Sequence, residues 1–204
     1  MKVLVTGVSG QLGYDVCKEL DRLGIENKGV DVQDFDLTDG DAVMAAVKAY
    51  APDAIIHCAA YTNVEKAESM PEVCADVNGM GTLNMVRAAL AVNAKLMYIS
   101  TDYVFEGTGD TPYEVNDPHK PQSVYGLTKD QGEEAVTSLM QRYFIVRISW
   151  VFGVNGHNFV RTMMRLGAER KEINVVSDQI GSPTYTADLA VLWPRSSVST
   201  VRCR

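Results

Sequence analysis

The run Lys2-Val3-Leu4-Val5-Thr6-Gly7-Val8-Ser9-Gly10-Gln11-Leu12-Gly13 decides the fold. Val3 to Thr6 is short, apolar and β-branched, and reads as a buried strand. Three glycines follow at the spacing G-x-x-G-x-x-G, and a helical pattern then runs to Gly24, which suits a C-terminal cap. The spacing is one residue wider than the G-x-G-x-x-G of dinucleotide-binding turns, but the roles carry over. Gly7 permits the tight turn, Gly10 lets backbone approach a pyrophosphate, and Gly13 lets helix pack on strand. Gln11 and Leu12 open a helix whose N-terminus then faces the phosphates.

Working outward, a second strand ends at Gly29-Val30-Asp31. Asp31 stands close to where an acid hydrogen-bonds the adenosine ribose hydroxyls, and no arginine follows directly to receive a 2′-phosphate. Asp36 and Leu37 come next, and Thr38 suits the N-cap of a helix from Ala42 to Tyr50. A third strand, Ala54 to Cys58, ends in Ala59-Ala60-Tyr61, where small residues let a dinucleotide lie against the sheet edge. His57 sits within that strand and reads as a core histidine. A helical pattern from Pro71 to Asn93 contains Gly79 and Gly81; glycine costs a helix about 1 kcal/mol, so the pair implies close packing near the cofactor. Strand–helix alternation of this kind predicts an α/β fold with a doubly wound parallel sheet.

The chemistry concentrates in residues 100–129. The strand pattern Lys95 to Ile99 ends in hydroxyl residues, and after a Pro- and Gly-rich loop a helix carries Tyr125 and Lys129. Residues four apart share a helix face. A cation beside a phenol lowers its pKa from about 10. A shift of roughly three units, about 4 kcal/mol, would suit proton exchange near neutral pH. Thr101, just past the strand end, could hold the same oxygen. The set suits reduction of a ketone, although Tyr-x-x-x-Lys alone is a weak signal whose ordinary meaning is a solvated helix face.

Composition is that of a soluble globular chain: 204 residues, 46% hydrophobic, 22% charged, net charge −7. The charge argues against nucleic acid as partner. No apolar run has membrane-spanning length and no signal peptide is visible, so a cytoplasmic location without a membrane partner is expected. Cys17, Cys58, Cys74 and Cys203 show no metal-ligand spacing with His57, His119 or His157, and no metal is expected.

With the glycine turn, Asp31, Thr101, Tyr125 and Lys129 in this order, the chain resembles the extended branch of the short-chain dehydrogenase/reductase superfamily. Within it the chain is similar to the dTDP-4-dehydrorhamnose reductases. The similarity rests on residues 6–13, 57–62, 64–68, 100–105, 124–129, 147–152, 158–163 and 178–184. It implies a Rossmann-like NAD(P)-binding domain over residues 1–150 and a partial nucleotide-sugar lobe over 151–190. It implies Thr101, Tyr125 and Lys129 as the catalytic triad. NADH or NADPH would lie along Gly7, Gly10, Gln11, Leu12, Gly13, Asp31, Asp36, Leu37, Ala59, Ala60, Tyr61 and Lys129. The nucleotide sugar would meet Thr101, Tyr103, Tyr125, Trp150, Asn158 and Arg161, and a homodimer is possible. The implied reaction reduces the C4 ketone of dTDP-4-dehydro-L-rhamnose. Two alternatives stay open: a nucleotide-sugar epimerase or dehydratase holding NAD⁺ tightly, and a non-catalytic subunit like the regulatory subunit of methionine adenosyltransferase.

Residues 191–204 depart from that pattern, with three arginines and no acid against 26 acids and 16 basic residues before them. Pro194 is expected to end any helix after Trp193. A truncated chain with an atypical, mobile tail and an incomplete substrate lobe is the expectation. It carries two corollaries: apolar faces left uncovered on the helices at 159–168 and 184–192, and turnover weaker than cofactor binding.

Overall fold

Five parallel strands position the candidate site. The computed structural model describes residues 1–109 and 111–198, with side chains through residue 192. The first part of the chain runs β1 (Lys2–Thr6), α1 (Gln11–Arg22), β2 (Glu26–Val30), α2 (Gly40–Tyr50), β3 (Ala54–His57), α3 (Val64–Ser69) and α4 (Pro71–Ala75). It continues with α5 (Gly81–Ala91), β4 (Lys95–Thr101), α6 (Val124–Leu139) and β5 (Tyr143–Ile148). All five strands are parallel, in the order β2-β1-β3-β4-β5. The order reverses between β1 and β3, and open α/β sheets take ligands in the crevice outside the carboxyl ends at such a point. The sheet is doubly wound, as the alternation predicts.

Period-2 alternation divides the core. Leu4, Ile55, Leu96 and Tyr98 face α2, α5 and α6, packing with Val43, Val47, Met85 and Val136. Val3, Val5, Ile56, Met97 and Ile99 point the other way, toward Leu12, Val16 and Leu20 of α1. Each such side chain contributes roughly 1.5–3 kcal/mol on burial. His57 is fully enclosed, as expected.

Several boundaries differ from the sequence reading. The N-cap of α2 is Asp39, whose carboxylate accepts from the N–H groups of Asp41 and Ala42. Thr38 instead donates its hydroxyl to Asp36 at 2.8 Å. The ionised carboxylate also meets the positive end of the helix dipole, which favours the aspartate. β4 extends to Thr101, so that residue is the last of a strand rather than the first beyond it. The helical pattern from Pro71 holds, but a π turn at Asp76–Met80 interrupts it. Gly81 lies where a Cβ would stand 2.9 Å from Leu37, which is the close packing that its cost implied.

Beyond β5, β6 (Val151–Phe152) pairs with β7 (Thr184–Tyr185), flanking α7 (Phe159–Glu169) and leading into α8 (Thr186–Val198). Residues 184–185 are therefore strand, not helix. α8 leans on α1: Ala190 is buried among Leu12, Val16 and Leu20, and the Thr186 hydroxyl donates to Asp15 at 2.5 Å. α7 buries no residue and exposes Phe159, Val160 and Met164. The helix also continues through Pro194 to Val198, against the expected break. One proline removes a single intrahelical hydrogen bond, and the turns before it are anchored on α1. Of the mobile segment expected from Pro194 to Arg204, residues 194–198 are helix and residues 199–204 lie outside the described residues.

Candidate active site

The glycine turn is built by close approach. Gly7 has φ +72°, and a Cβ there would stand 2.7 Å from the Ala59 nitrogen at the end of β3. A Cβ on Gly13 would collide with the Gly7 carbonyl, so the third glycine packs on the turn itself rather than on the strand. α1 starts after Gly10 with no side-chain cap and no acid in its first turn. Its free N–H groups and positive dipole end therefore face an anion-sized opening.

Asp31 closes the far side of that opening. One carboxylate oxygen accepts from the Ser9 N–H at 2.8 Å and the other from the Val32 N–H at 2.8 Å. Burial alone would raise its pKa, yet these bonds and one from the Ser9 side chain hold the carboxyl below the usual range. Asp31 is thus charged and pins the turn to β2.

β4 and α6 supply the reacting wall. Ser123 caps α6 by accepting from the Gly126 N–H at 3.0 Å, which sets the pitch of Tyr125 and Lys129. Thr101 stands beside the Tyr125 phenol, and its own hydroxyl donates to Asp102 Oδ1 at 3.2 Å. Tyr103 meets Tyr125 edge-on, ring centroids 5.6 Å apart. Lys129 is 2% exposed; its Nζ donates to the Ile99 carbonyl at 2.7 Å and lies 4.0 Å from the Tyr98 ring centre. Burial brings the Lys129 ammonium down to about 7.

The electrostatics of Tyr125 correct the sequence expectation. Burial pushes the phenol up to about 12, against the Thr101 hydroxyl beside it, and Asp102, Cys74 and Tyr103 add to the rise. The Lys129 ammonium is turned to the Ile99 carbonyl and the Tyr98 ring. In this state Tyr125 is a firmly protonated donor, not an incipient phenolate.

These walls enclose one cleft of about 850 Å³ at the carboxyl ends of the strands. Of the predicted residues, Gly7, Gly10, Gln11, Leu12, Gly13, Asp31, Asp36, Leu37, Ala59, Ala60, Thr101, Tyr103, Tyr125, Lys129 and Trp150 line it. Tyr61, Asn158 and Arg161 do not. Tyr61 is tied through its backbone to Asn78, with its N–H donating to Oδ1 and its carbonyl accepting from Nδ2. Asn158 caps α7 by accepting from the Arg161 N–H, while its Nδ2 donates to Gln11 Oε1 and the Gly153 carbonyl, each at 2.9 Å. It is a clip between α7 and the glycine turn. Trp150 reaches the cleft on a left-handed backbone, φ +48°, a rare conformation for a bulky residue that marks a constrained position.

Sequence reasoning passes over other members of the wall: Ser9, Asp102, Gly156 and His157. Burial raises the pKa of Asp102 despite hydrogen bonds from Thr101 and Ser149. Ser9 could have been found as the polar x of the glycine turn. Asn155, which donates to the Ser9 and Gly10 carbonyls from 145 residues away, gives no local signal. His119, Asp130 and Glu133 do offer ligand atoms within 4.8 Å of one another, which their spacing hides. The Arg147 guanidinium is bonded to both Glu133 and His119, so a cation already stands there.

Comparison with known proteins agrees with this geometry. The family model described as the RmlD substrate binding domain matches residues 1–195. A dTDP-4-dehydrorhamnose reductase from Streptomyces griseus is 45% identical over 92% of this chain, which spans 62% of that protein's length. The spore coat polysaccharide biosynthesis protein SpsK of Bacillus subtilis is 41% identical over 93% of the chain and 67% of its own length. The crystal structure of dTDP-4-dehydrorhamnose reductase from Bacillus anthracis in complex with NADP superposes with a TM-score of 0.94 at 44% identity, covering 98% of this chain and 71% of that one. A Thermus thermophilus UDP-glucose 4-epimerase complex with NAD shares the fold, with a TM-score of 0.83 at 24% identity. The chain belongs to the RmlD substrate-binding-domain family, on the extended short-chain dehydrogenase/reductase fold.

Proposed function

We propose that the cleft binds NADH or NADPH and reduces the C4 ketone of dTDP-4-dehydro-L-rhamnose to dTDP-L-rhamnose. The observation that carries this reading is the meeting of Thr101, Tyr125 and Lys129 with the uncapped, glycine-cradled N-terminus of α1 in a single cleft. The cradle fits a dinucleotide: a Cβ at Gly7 would fill it, and the N–H groups of α1 suit a pyrophosphate. Asp31 would accept from the adenosine ribose hydroxyls, and Lys129 would hold the nicotinamide ribose. The dinucleotide, when bound, supplies the hydride to C4.

The residues of this chain do the rest. Tyr125 donates its proton to the carbonyl oxygen as negative charge develops there. A phenol at about 12 stays protonated at neutral pH and yields its proton only to the stronger base that reduction creates. Thr101 orients the phenol. Tyr103 and Trp150 offer aromatic surface, 43% and 45% exposed, to the apolar face of a deoxysugar. Among the described residues no lysine or arginine lines the cleft near Asp31, which favours NADH over a 2′-phosphorylated cofactor.

The test follows absorbance of NADH and NADPH with the keto-sugar. Oxidation of NADH at least as fast as NADPH, with the ratio shifting toward NADPH in Asp31→Ala, supports the reading. NAD⁺ released on denaturing the pure protein, without net oxidation of added NADH, would move the assignment to an epimerase.

A further inference from the structure

Glu133 is a buried carboxylate, 2% exposed, for which the reaction above provides no task. Its place becomes clear along the seam between α6 and β4. Three successive strand residues are each tied to the helix. The Tyr98 hydroxyl donates to the Lys129 carbonyl at 3.2 Å, and Lys129 Nζ donates to the Ile99 carbonyl at 2.7 Å. The Ser100 hydroxyl donates to Glu133 Oε1 at 2.5 Å. Tyr125, Lys129 and Glu133 are four residues apart and lie on one helix face. Glu133 thus continues the row that the two reacting side chains begin.

Both carboxylate oxygens are also engaged by a guanidinium. Arg147 donates Nε to Oε1 at 2.9 Å and Nη2 to Oε2 at 2.6 Å. A guanidinium only donates, so His119 Nε2, 2.7 Å from Arg147 Nη2, must accept. The His119 proton is then on Nδ1 and is donated to Asp130 at 2.5 Å. The guanidinium also lies 5.0 Å from the centre of the Phe105 ring. A fully bonded, charge-paired carboxylate can stay charged inside the protein.

We propose that Glu133 is a positioning residue whose buried carboxylate, fixed by Ser100 and Arg147, holds the Lys129 side chain in its charged form on the cleft wall. Its consequence for catalysis rests on the role given to Lys129 above; its effect on Lys129 does not. Among the described residues, the other groups at the ammonium are His57 and Cys58 at the end of β3, Cys74 of α4 and the Tyr98 ring of β4. None of them is a carboxylate. Burial drives the ammonium toward its neutral form, and Glu133 is the largest influence in the opposite direction.

The experiment titrates Lys129 directly by NMR in protein carrying isotope-labelled lysine, with Lys129→Arg to assign the signal and no ligand present. Glu133→Gln, nearly equal in shape, is expected to move the Lys129 midpoint down by about one unit, the usual effect of a nearby opposite charge. Ser100→Ala, which keeps the charge, should leave the midpoint within a few tenths. If Glu133→Gln does not fold, Glu133→Asp draws the carboxylate back by one methylene and should shift the midpoint the same way by less. An unchanged midpoint in whichever of these two variants folds overturns the proposal. NADH binding by the parent protein, measured separately, judges the reductase reading alone, so the two failures are distinguishable.

Discussion

At the residue scale, Tyr125 shows what spacing can and cannot say. Tyr-x-x-x-Lys places both side chains on one helix face, and the cleft contains both. The sequence could not show that Lys129 would be spent on the Ile99 carbonyl, since that bond depends on where β4 lies against α6. Nor could it show that burial would dominate the phenol. Both features favour a proton donor over a resident phenolate. Tyr125→Phe removes the proton and little volume, so the rate of ketone reduction should fall by about 10²–10⁴. NADH affinity should stay within about threefold, because Tyr125 is given no role in holding the dinucleotide. Stopped-flow reduction and a fluorescence titration with NADH check the two halves, and a variant as fast as the parent would remove Tyr125 from the reaction.

At the element scale, the glycine turn, the strands and the parallel order were legible because they depend on local pattern: β-branched runs, glycine spacing and alternation. The clips between distant elements were not. The resemblance implies Asn158 as a ligand residue; in the structure it joins α7 to Gln11 of α1, 147 residues away in sequence. Asn78 likewise ties the loop after β3 to Thr128 of α6. Such contacts leave no periodicity to read. Asn158→Ala loses a helix cap, worth about 1 kcal/mol, and two side-chain bonds besides. The melting temperature should drop by about 2–4 °C for each kcal/mol lost in a chain of this size. Asn158→Asp keeps the cap but not the Nδ2 bonds, so calorimetry on both variants divides the loss between α7 and the turn. Identical melting curves for parent and Asn158→Ala would mean that α7 is held by other means.

At the scale of the whole molecule, the acid side of the stability profile follows from a residue with no catalytic task. His57 is enclosed in the sheet between Thr6 and Thr82, its Nδ1 2.8 Å from the Thr6 hydroxyl, and its ring stacks on Tyr98 with centroids 5.9 Å apart. Burial, helped by the Lys129 charge, lowers its pKa from 6.5 to about 3. The unfolded chain therefore binds a proton near pH 6.5 that the folded chain refuses until about pH 3. This contribution to stability is complete above pH 6.5 and is lost as pH falls toward 3, at about 1.4 kcal/mol per unit. Over the range the loss is about 5 kcal/mol, a large part of the 5–15 kcal/mol typical of a domain. Asp31 and Asp36, both lowered, add losses of the same sign, but only as pH drops below their unfolded values near 3.8. Lys129 acts elsewhere: between about 7 and 10.5 the unfolded chain holds the extra proton, so stability rises through that window. Asp102, whose carboxyl is raised, acts in the opposite sense just above 3.8, so the fall in stability between pH 6.5 and 4 should belong mainly to His57. Urea unfolding at half-unit steps of pH should show stability falling through this range in the parent. His57→Gln, though weaker at neutral pH, should be nearly flat across it. Parallel slopes in the two proteins would place the acid sensitivity in other groups and leave His57 charged or hydrated in the fold.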